Sequence, residues 1–330
     1  MAKLAHDVVG IGNAIVDILT HADDSFLREH SLTKGAMTLI DAEQARRLYA
    51  LMGPGVECSG GSAANTMAGI ASLGGRAAYI GKIRDDQLGR VFAHDIRAAG
   101  VDFHTPAATN GPPTARCLIL VTPDAQRTMQ TSLGASVRLS SGDIHEETIR
   151  GAKVTYLEGY LWDPPEAKEA FLKAARIAHD AERLVSLTLS DPFCVQRHRE
   201  SFLELVEHHV DVLFANEPEI MSLYEARTFD DALQCVRGHC RIAALTRSEK
   251  GSVIVTDGEV HVVDAEPVDQ LVDTTGAGDL YAAGFLHGLA EGASLARCGR
   301  LGAIAAAEVI SHFGARPSVD LGQLVQDRTS

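Results

Sequence analysis

The sequence predicts an α/β fold with a largely parallel central sheet and a small extra β-sheet, and three observations carry that reading. Short β-rich runs recur at 7–11, 77–80, 117–121, 154–157, 184–187, 210–214, 242–246 and 252–255, several of them nearly continuous apolar runs. Strands of that kind belong to a sheet covered on both faces. Helical stretches such as 166–180 and 230–239 lie between many of them, the alternation that builds parallel sheets. Two segments break this rhythm. After Asp17 comes a polar stretch rich in His and Asp with strand-like fragments at 18–21 and 36–40, and 117–133 reads as two strands around Pro123-Asp124. These pair into a small sheet over one edge, in the position of a lid. No Pro-, Gly- or Ser-rich linker and no internal repeat divides the chain, so residues 1–330 read as one domain with a lid from about 15–41 and 104–134.

Composition narrows the function classes. Hydrophobic residues make up 45 % and charged residues 22 % of 330 positions, ordinary for a soluble globular protein. The formal charge of -14, with basic runs no longer than pairs such as Arg46-Arg47, argues against a nucleic-acid partner. A small anionic ligand would be held by backbone amides and a few cations. The six cysteines are scattered without a CxxC pair and the N-terminus has no basic-then-apolar signal pattern, which points to reduced thiols in the cytoplasm. Cys235, His239 and Cys240 lie close together but lack a fourth ligand at zinc spacing. No apolar run approaches the ~20 residues of a membrane span. The expected partner is therefore a small molecule, for a monomer or a homodimer.

The stretch DTTGAGDLYAAGFLHG, from Asp273 to Gly288, is the main chemical signal. With a helix starting at about Ala277, Gly276 and Gly278 let the backbone turn sharply and present free N–H groups, to which the helix dipole adds partial positive charge. Such a start binds an anion. Asp279 beside it could accept a proton from a hydroxyl attacking a phosphoryl group. An ordinary aspartate, with a pKa near ~3.9, is a weak base for an alcohol, but a loose phosphoryl-transfer transition state asks mainly for positioning. Ala282, Ala283, Gly284 and Gly288 would admit a close neighbour, which must offset the ~1 kcal/mol that a mid-helix glycine costs against alanine. The competing interpretation is a glycine loop before a buried helix, with Asp279 merely complementing the dipole.

Other segments add polar groups. GIGNAIVD at 10–17 has Ile15 where the dinucleotide fingerprint needs its third glycine, so hydride transfer to NAD is disfavoured. Asn13 and Asp17 instead offer an amide and a carboxylate that suit a vicinal diol, or serve as turn residues. In GGSAANTMAGIASLGG at 60–75, Ala63, Met67 and Ile70 mark the inner face of a helix, Ser62 reads as an N-cap, and Asn65 lies one turn in. Asn216 and Glu219 read on local grounds as an N-cap with a reciprocal acid. Thr246 and Lys250-Gly251 lie in a turn between strands, and no G-x-x-x-x-G-K-[ST] occurs, which disfavours a P-loop enzyme.

Taken in order, Asn13 and Asp17, Gly60-Gly61, Asn216 and Glu219, and D-T-x-G-A-G-D at 273–279 resemble the ribokinase-like (PfkB) carbohydrate kinase family, within it the adenosine kinase branch. The resemblance spans nearly the whole chain. It implies a three-layer α/β/α domain with a small β lid, and transfer of the ATP γ-phosphoryl group to a primary hydroxyl, with Mg2+ as second cofactor and K+ as a candidate third. By that resemblance Asp279 is the catalytic base and Gly276, Ala277 and Gly278 form the anion hole. Asn216 and Glu219 organise magnesium and phosphate through water, and Thr246 and Gly251 lie along the ATP site. Asp17 resembles the residue holding the ribose hydroxyls, with Asn13, Gly61 and Asn65 nearby. Ile15, Met129, Leu133 and Tyr160 look like walls for a flat base, or else form the core of the lid. Arg127 would reach the transferring phosphate when the lid closes. Arg84 and Ser248 stand where the family often has glycine. The implied activity is phosphorylation of the 5'-hydroxyl of adenosine or a close nucleoside. The alternatives are a sugar kinase of the same fold, acting on ribose, fructose or a related sugar, and a non-catalytic nucleoside-binding protein.

Overall fold

The computed structural model describes residues 4–124 and 126–329; positions 1–3, 125 and 330 of the expected 1–330 domain lie outside the described residues. The strands are, in chain order, β1 (His6–Ile11), β2 (Ile15–His21), β3 (Met37–Leu39), β4 (Val56–Gly60), β5 (Ala77–Ile80), β6 (Val101–Phe103) and β7 (Ala115–Val121). They continue with β8 (Arg127–Ser132), β9 (Ala152–Glu158), β10 (Leu184–Thr188), β11 (Val212–Asn216), β12 (Ile242–Thr246), β13 (Ser252–Val255) and β14 (Val260–Val263). Nine form one sheet in the order β14-β13-β12-β11-β10-β9-β1-β5-β6. It is parallel from β12 to β6, and the β13 and β14 additions are antiparallel.

Successive side chains of the inner strands enter opposite cores, which is why these runs read as continuously apolar. Val212 and Phe214 of β11 pack on one side, with Met67, Phe92, Phe285 and Ala305 of the Ser62–Ser72, Gln87–Ala98, Ala277–Ala290 and Leu295–Val309 helices. Leu213 and Ala215 pack on the other, with Phe171, Phe202, Ile220 and Ala232 of the Pro165–Asp180, Pro192–His209, Glu217–Tyr224 and Phe229–Val236 helices. The result is the expected three-layer α/β/α fold. Among the described residues no helix is long and apolar enough to cross a membrane.

The remaining strands form a second sheet, β3-β8-β7-β2-β4. It also takes in β4, outside the two stretches 15–41 and 104–134 expected to build it. The Val56–Gly60 sequence, VECSG, is short and mixed, and only its antiparallel pairing with β2 makes it a strand. In the other direction, β8 stops at Ser132, so Leu133 falls just outside the second of the two strands read from 117–133. Leu133 takes helical angles (φ -70°, ψ -22°) and leads into a short 3-10 turn, Gly134–Arg138.

Candidate active site

Because β9 to β12 and β1 run parallel, their C-terminal ends share one edge of the large sheet. Asn13 follows β1, Glu158 ends β9, and Asn216 and Thr246 are paired in register at the ends of β11 and β12. The chain leaves β1 in both directions across the sheet, β5 lying on one side and β9 on the other. The crevice at such a switch point is where open α/β sheets place ligands.

The Ala277–Ala290 helix starts at this edge. Its N-cap, Gly276, holds φ +80° and ψ -4° and offers no side-chain cap. A side chain there would meet the strain of the left-handed region and the backbone of Ala315, whose Cα lies 2.9 Å from where a Cβ would stand. Above Gly278 the space is open, with no atom within 4 Å of a Cβ position. The first-turn amides of this helix have no acceptor within it; Ala277 N donates back to Thr274 O at 3.2 Å, while Gly278 N lies at an uncapped end with room above. The close approach predicted for the small residues further along is met by other helices. Leu280 Cδ1 and Ala283 Cβ stand 2.6 and 2.7 Å from a Cβ position on Gly69, and a Cβ on Gly284 would overlap the Leu301 carbonyl.

Asp279 is anchored through both oxygens. Ser62 Oγ donates to Oδ1 at 2.6 Å and Asn65 Nδ2 donates to Oδ2 at 3.0 Å. Ser62 is thus not the N-cap that the sequence suggested. The cap position belongs to Gly61, at φ +97°, and the serine hydroxyl is turned outward to the carboxylate. Burial lifts the Asp279 carboxyl above the ordinary range, against the pull of the Ser62 and Asn65 hydrogen bonds and the Arg316 charge. That shift strengthens a base that would otherwise be weak for an alcohol proton.

Asp17 lies across the crevice on β2, pressed against Gly60, where any Cβ would overlap its carboxylate. Burial pushes it up to about 6, Arg316 and Arg127 pull it down, and Asp279 pushes it up further. Its sheet neighbours are Cys58 on β4 and Cys117 on β7. On the same face Ile15, Leu19 and Met129 pack around Cys117, Ile119 and Val121. Ile15 and Met129 therefore share an apolar sheet face with Asp17. Tyr160 lies apart, on the short turn after β9, its hydroxyl donating to the Ser190 carbonyl at 3.1 Å.

Other predicted residues are committed elsewhere. The Asn13 amide is anchored on both sides, its Nδ2 donating to Glu158 Oε1 at 2.8 Å and its Oδ1 accepting from Ser136 Oγ at 2.8 Å, which leaves one N–H and one lone pair for a ligand. Arg127 forms a buried ion pair at 2.8 Å with Asp273, the first residue of the glycine motif, and so ties the second sheet to the head of the helix. Asn216 and Glu219 form a complete capping box. Asn216 Nδ2 and N donate to the two Glu219 oxygens at 2.6 and 2.9 Å, and Glu219 N donates back to Asn216 Oδ1 at 2.9 Å. Burial lifts Glu219 to about 7, its Asn216 amide bond lowers it, and Asp191 raises it. Thr246 and Gly251 flank the β12–β13 turn, closed by Arg247 N donating to Gly251 O at 2.8 Å. In that turn Ser248 sits at φ +53°, which explains why glycine suits the position; Arg84 has no positive φ.

Two groups at this edge escaped the sequence reading. Glu158, 1 % exposed, accepts from Asn13 and from Ala63 N at 2.9 Å, and burial lifts it to about 7. A carboxylate ending the apolar run VTYLE is a sign of a ligand-edge acid that could have been read. Arg316 projects its charge toward Asp17 and Asp279 from a loop far along the chain; nothing local marks it. Among the described residues no group of three His, Cys, Asp or Glu side chains could hold a metal. That applies to Cys235, His239 and Cys240.

A parallel-sheet domain with a carboxylate beside an uncapped, glycine-headed helix and a second sheet over the crevice is the ribokinase-like architecture. Residues 50–321 match the pfkB family carbohydrate kinases, and the chain belongs to that family. It is a kinase, and membership implies ATP use, with Mg2+ usual. The chain is similar to 5-dehydro-2-deoxygluconokinase of Geobacillus thermodenitrificans, 31 % identical over 81 % of this chain and 84 % of the relative. Among solved structures it is similar to adenosine kinase from Sinorhizobium meliloti, at 54 % identity and TM-score 0.92 over 98 % of this chain and 99 % of that one. It is also similar to a probable sugar kinase from Rhizobium etli, at 51 % identity and TM-score 0.93 over 99 % of each chain.

Proposed function

We propose that the protein transfers the γ-phosphoryl group of ATP to the 5'-hydroxyl of adenosine or a close nucleoside. The observation that carries the reaction is Asp279, held by Ser62 and Asn65 beside an uncapped helix start. The acceptor hydroxyl gives its proton to Asp279 as the new P–O bond forms and the bond from the γ-phosphorus to the β–γ bridging oxygen breaks, releasing ADP, and the amides of Gly276, Ala277 and Gly278 stabilise the charge developing on the phosphoryl oxygens. ATP supplies the phosphoryl group, and Asn216 and Glu219 are the residues that would hold Mg2+ through water, which would neutralise the phosphates. Thr246 and Gly251 line the nucleotide side. Asp17 takes the ribose hydroxyls beside Gly61, while Ile15 and Met129 offer an apolar face to the base, with Leu133 and Tyr160 at its margins. Arg127 passes from Asp273 to the transferring phosphate. The similarity to the Sinorhizobium adenosine kinase supports this choice of acceptor.

A sugar acceptor is the second reading. Arg127 and Thr131 are polar groups on the strand that carries Met129, and the Geobacillus and Rhizobium relatives bear sugar-kinase names. Incubation with Mg-ATP and separate pools of adenosine, other nucleosides, ribose and fructose, read by mass spectrometry, separates the two. Adenosine monophosphate as the main product supports the first, and a sugar phosphate supports the second. Binding of a nucleoside with no product would leave a binding protein instead.

A further inference from the structure

Arg316 is a half-buried cation with no carboxylate in direct contact among the described residues. Its four hydrogen bonds end on neutral oxygens: Nε and Nη2 to Ser59 O at 3.2 and 2.9 Å, Nη2 to Ser59 Oγ at 2.9 Å, and Nη1 to Ala64 O at 3.0 Å. Taking such a charge even partly out of water costs free energy unless something offsets it. Ser59 is itself held, its N and Oγ donating to Asp95 Oδ2 at 2.7 and 2.6 Å.

The acceptors straddle the turn from β4 into the Ser62–Ser72 helix. Between them lie Gly60, against which Asp17 rests, Gly61, packed on the Asn13 carbonyl, and Ser62, which holds Asp279. Asn65, the other anchor of Asp279, follows Ala64 directly. We propose that Arg316 is a positioning residue for the kinase site: its guanidinium clamps the Ser59–Ala64 turn and sets a fixed positive charge facing both Asp17 and Asp279. The proposal rests on the phosphotransfer role of Asp279 given above.

The groups facing Asp279 give this charge its purpose. Asp17 from β2, Glu158 and Tyr156 from β9, and Tyr160 beyond β9 all feel the Asp279 charge, and each carboxylate among them disfavours a second negative charge nearby. Ser62 and Asn65 are neutral donors. Arg316 is the cation that lowers both Asp17 and Asp279, while Arg127 acts on Asp17. It keeps the base ionised when hydroxyl and phosphates arrive.

Arg316→Gln and Arg316→Lys test this, with circular dichroism and urea unfolding as folding controls. Two readouts are taken: kcat and KM against pH for the accepted substrate, and the titration of the Asp279 carboxyl by 13C NMR in full-length protein, assigned by its loss in Asp279→Asn. In folded R316Q, the Asp279 titration and the acidic limb of kcat/KM are expected to move up by about one pH unit, the size of losing a nearby opposite charge, with kcat falling at least ~10-fold. R316K is expected to keep the titration near wild type but to lose kcat, because an ammonium lacks the planar fork. Coincident titrations in R316Q and wild type would overturn the proposal. Should R316Q not fold, R316K with wild-type kcat would overturn the clamp. The NMR readout needs no substrate, so retained phosphorylation in Asp279→Asn would sink the functional reading without deciding this one.

Discussion

Two helices begin at the same edge of the sheet and treat their first turns in opposite ways. The Glu217–Tyr224 helix closes its own start, Asn216 and Glu219 exchanging three hydrogen bonds. The Ala277–Ala290 helix starts at a glycine with no side-chain cap and open space above Gly278. Capping stabilises a protein by ~1 kcal/mol, so leaving a helix start bare gives up stability unless a ligand supplies the missing acceptors. One N-terminus is finished by the chain itself; the other is left for an anion.

The sharpest break in that comparison comes from Asp279→Asn. Asparagine can still accept from Ser62 or Asn65, so the fold should persist while turnover drops ~10²–10⁴-fold, as measured by kcat beside a melting curve; near-wild-type kcat would refute the base. Gly276→Ala comes next. Positive φ and the Ala315 backbone should together cost at least ~1–2 kcal/mol, with turnover falling further than stability explains. Gly278→Ala meets no protein atom, so its activity loss should come with unchanged or slightly higher stability in urea.

Asn216→Ala should invert this pattern, losing about 1 kcal/mol with a smaller loss of kcat than Asp279→Asn. An equal loss would mean that the self-capped start also works chemically. Glu219 adds a pH signature. Folding raises it from an ordinary 4.5 to about 7, so the native state holds a proton that the unfolded chain releases. Its contribution is present below pH ~4.5 and lost as pH rises through about 7. The stability of wild type relative to Glu219→Gln should therefore fall between pH 5 and 8 in paired urea titrations, and a rise would be fatal to that assignment. The smallest effect belongs to Ser248→Gly, which relieves a left-handed serine and should stabilise by a few tenths to ~1 kcal/mol.

Legibility followed the length scale of each interaction. The inner strands and the start at Ala277 were readable because burial on both faces and helix-start chemistry write themselves into adjacent residues. β4 was not, since VECSG becomes a strand only beside β2. Ser62 resembled a cap because its true partner is 217 positions away. Asn13 and Arg127 were recognisable as site-edge residues, but their ties to Glu158, Ser136 and Asp273 exist only in three dimensions. Arg316 carried no local signal at all.

The path of the chain between the two sheets has a mechanical consequence. It crosses from β1 to β2 through Gly12–Ala14 and returns from β4 through Gly60 and Gly61 into the Ser62–Ser72 helix. Both crossings abut the reacting groups, and Glu158, rooted in β9 of the large sheet, grips Asn13 in one and Ala63 just beyond the other. Any change of angle between the sheets must be taken up at these two pivots together with the crossings from β6 to β7 and from β8 to β9, so the first two act like hinge pins that are also part of the lock. Tilting the small sheet would disturb the anchorage of Asp279 through Ser62, so the angle at which the crevice is covered and the readiness of the base are one mechanical variable.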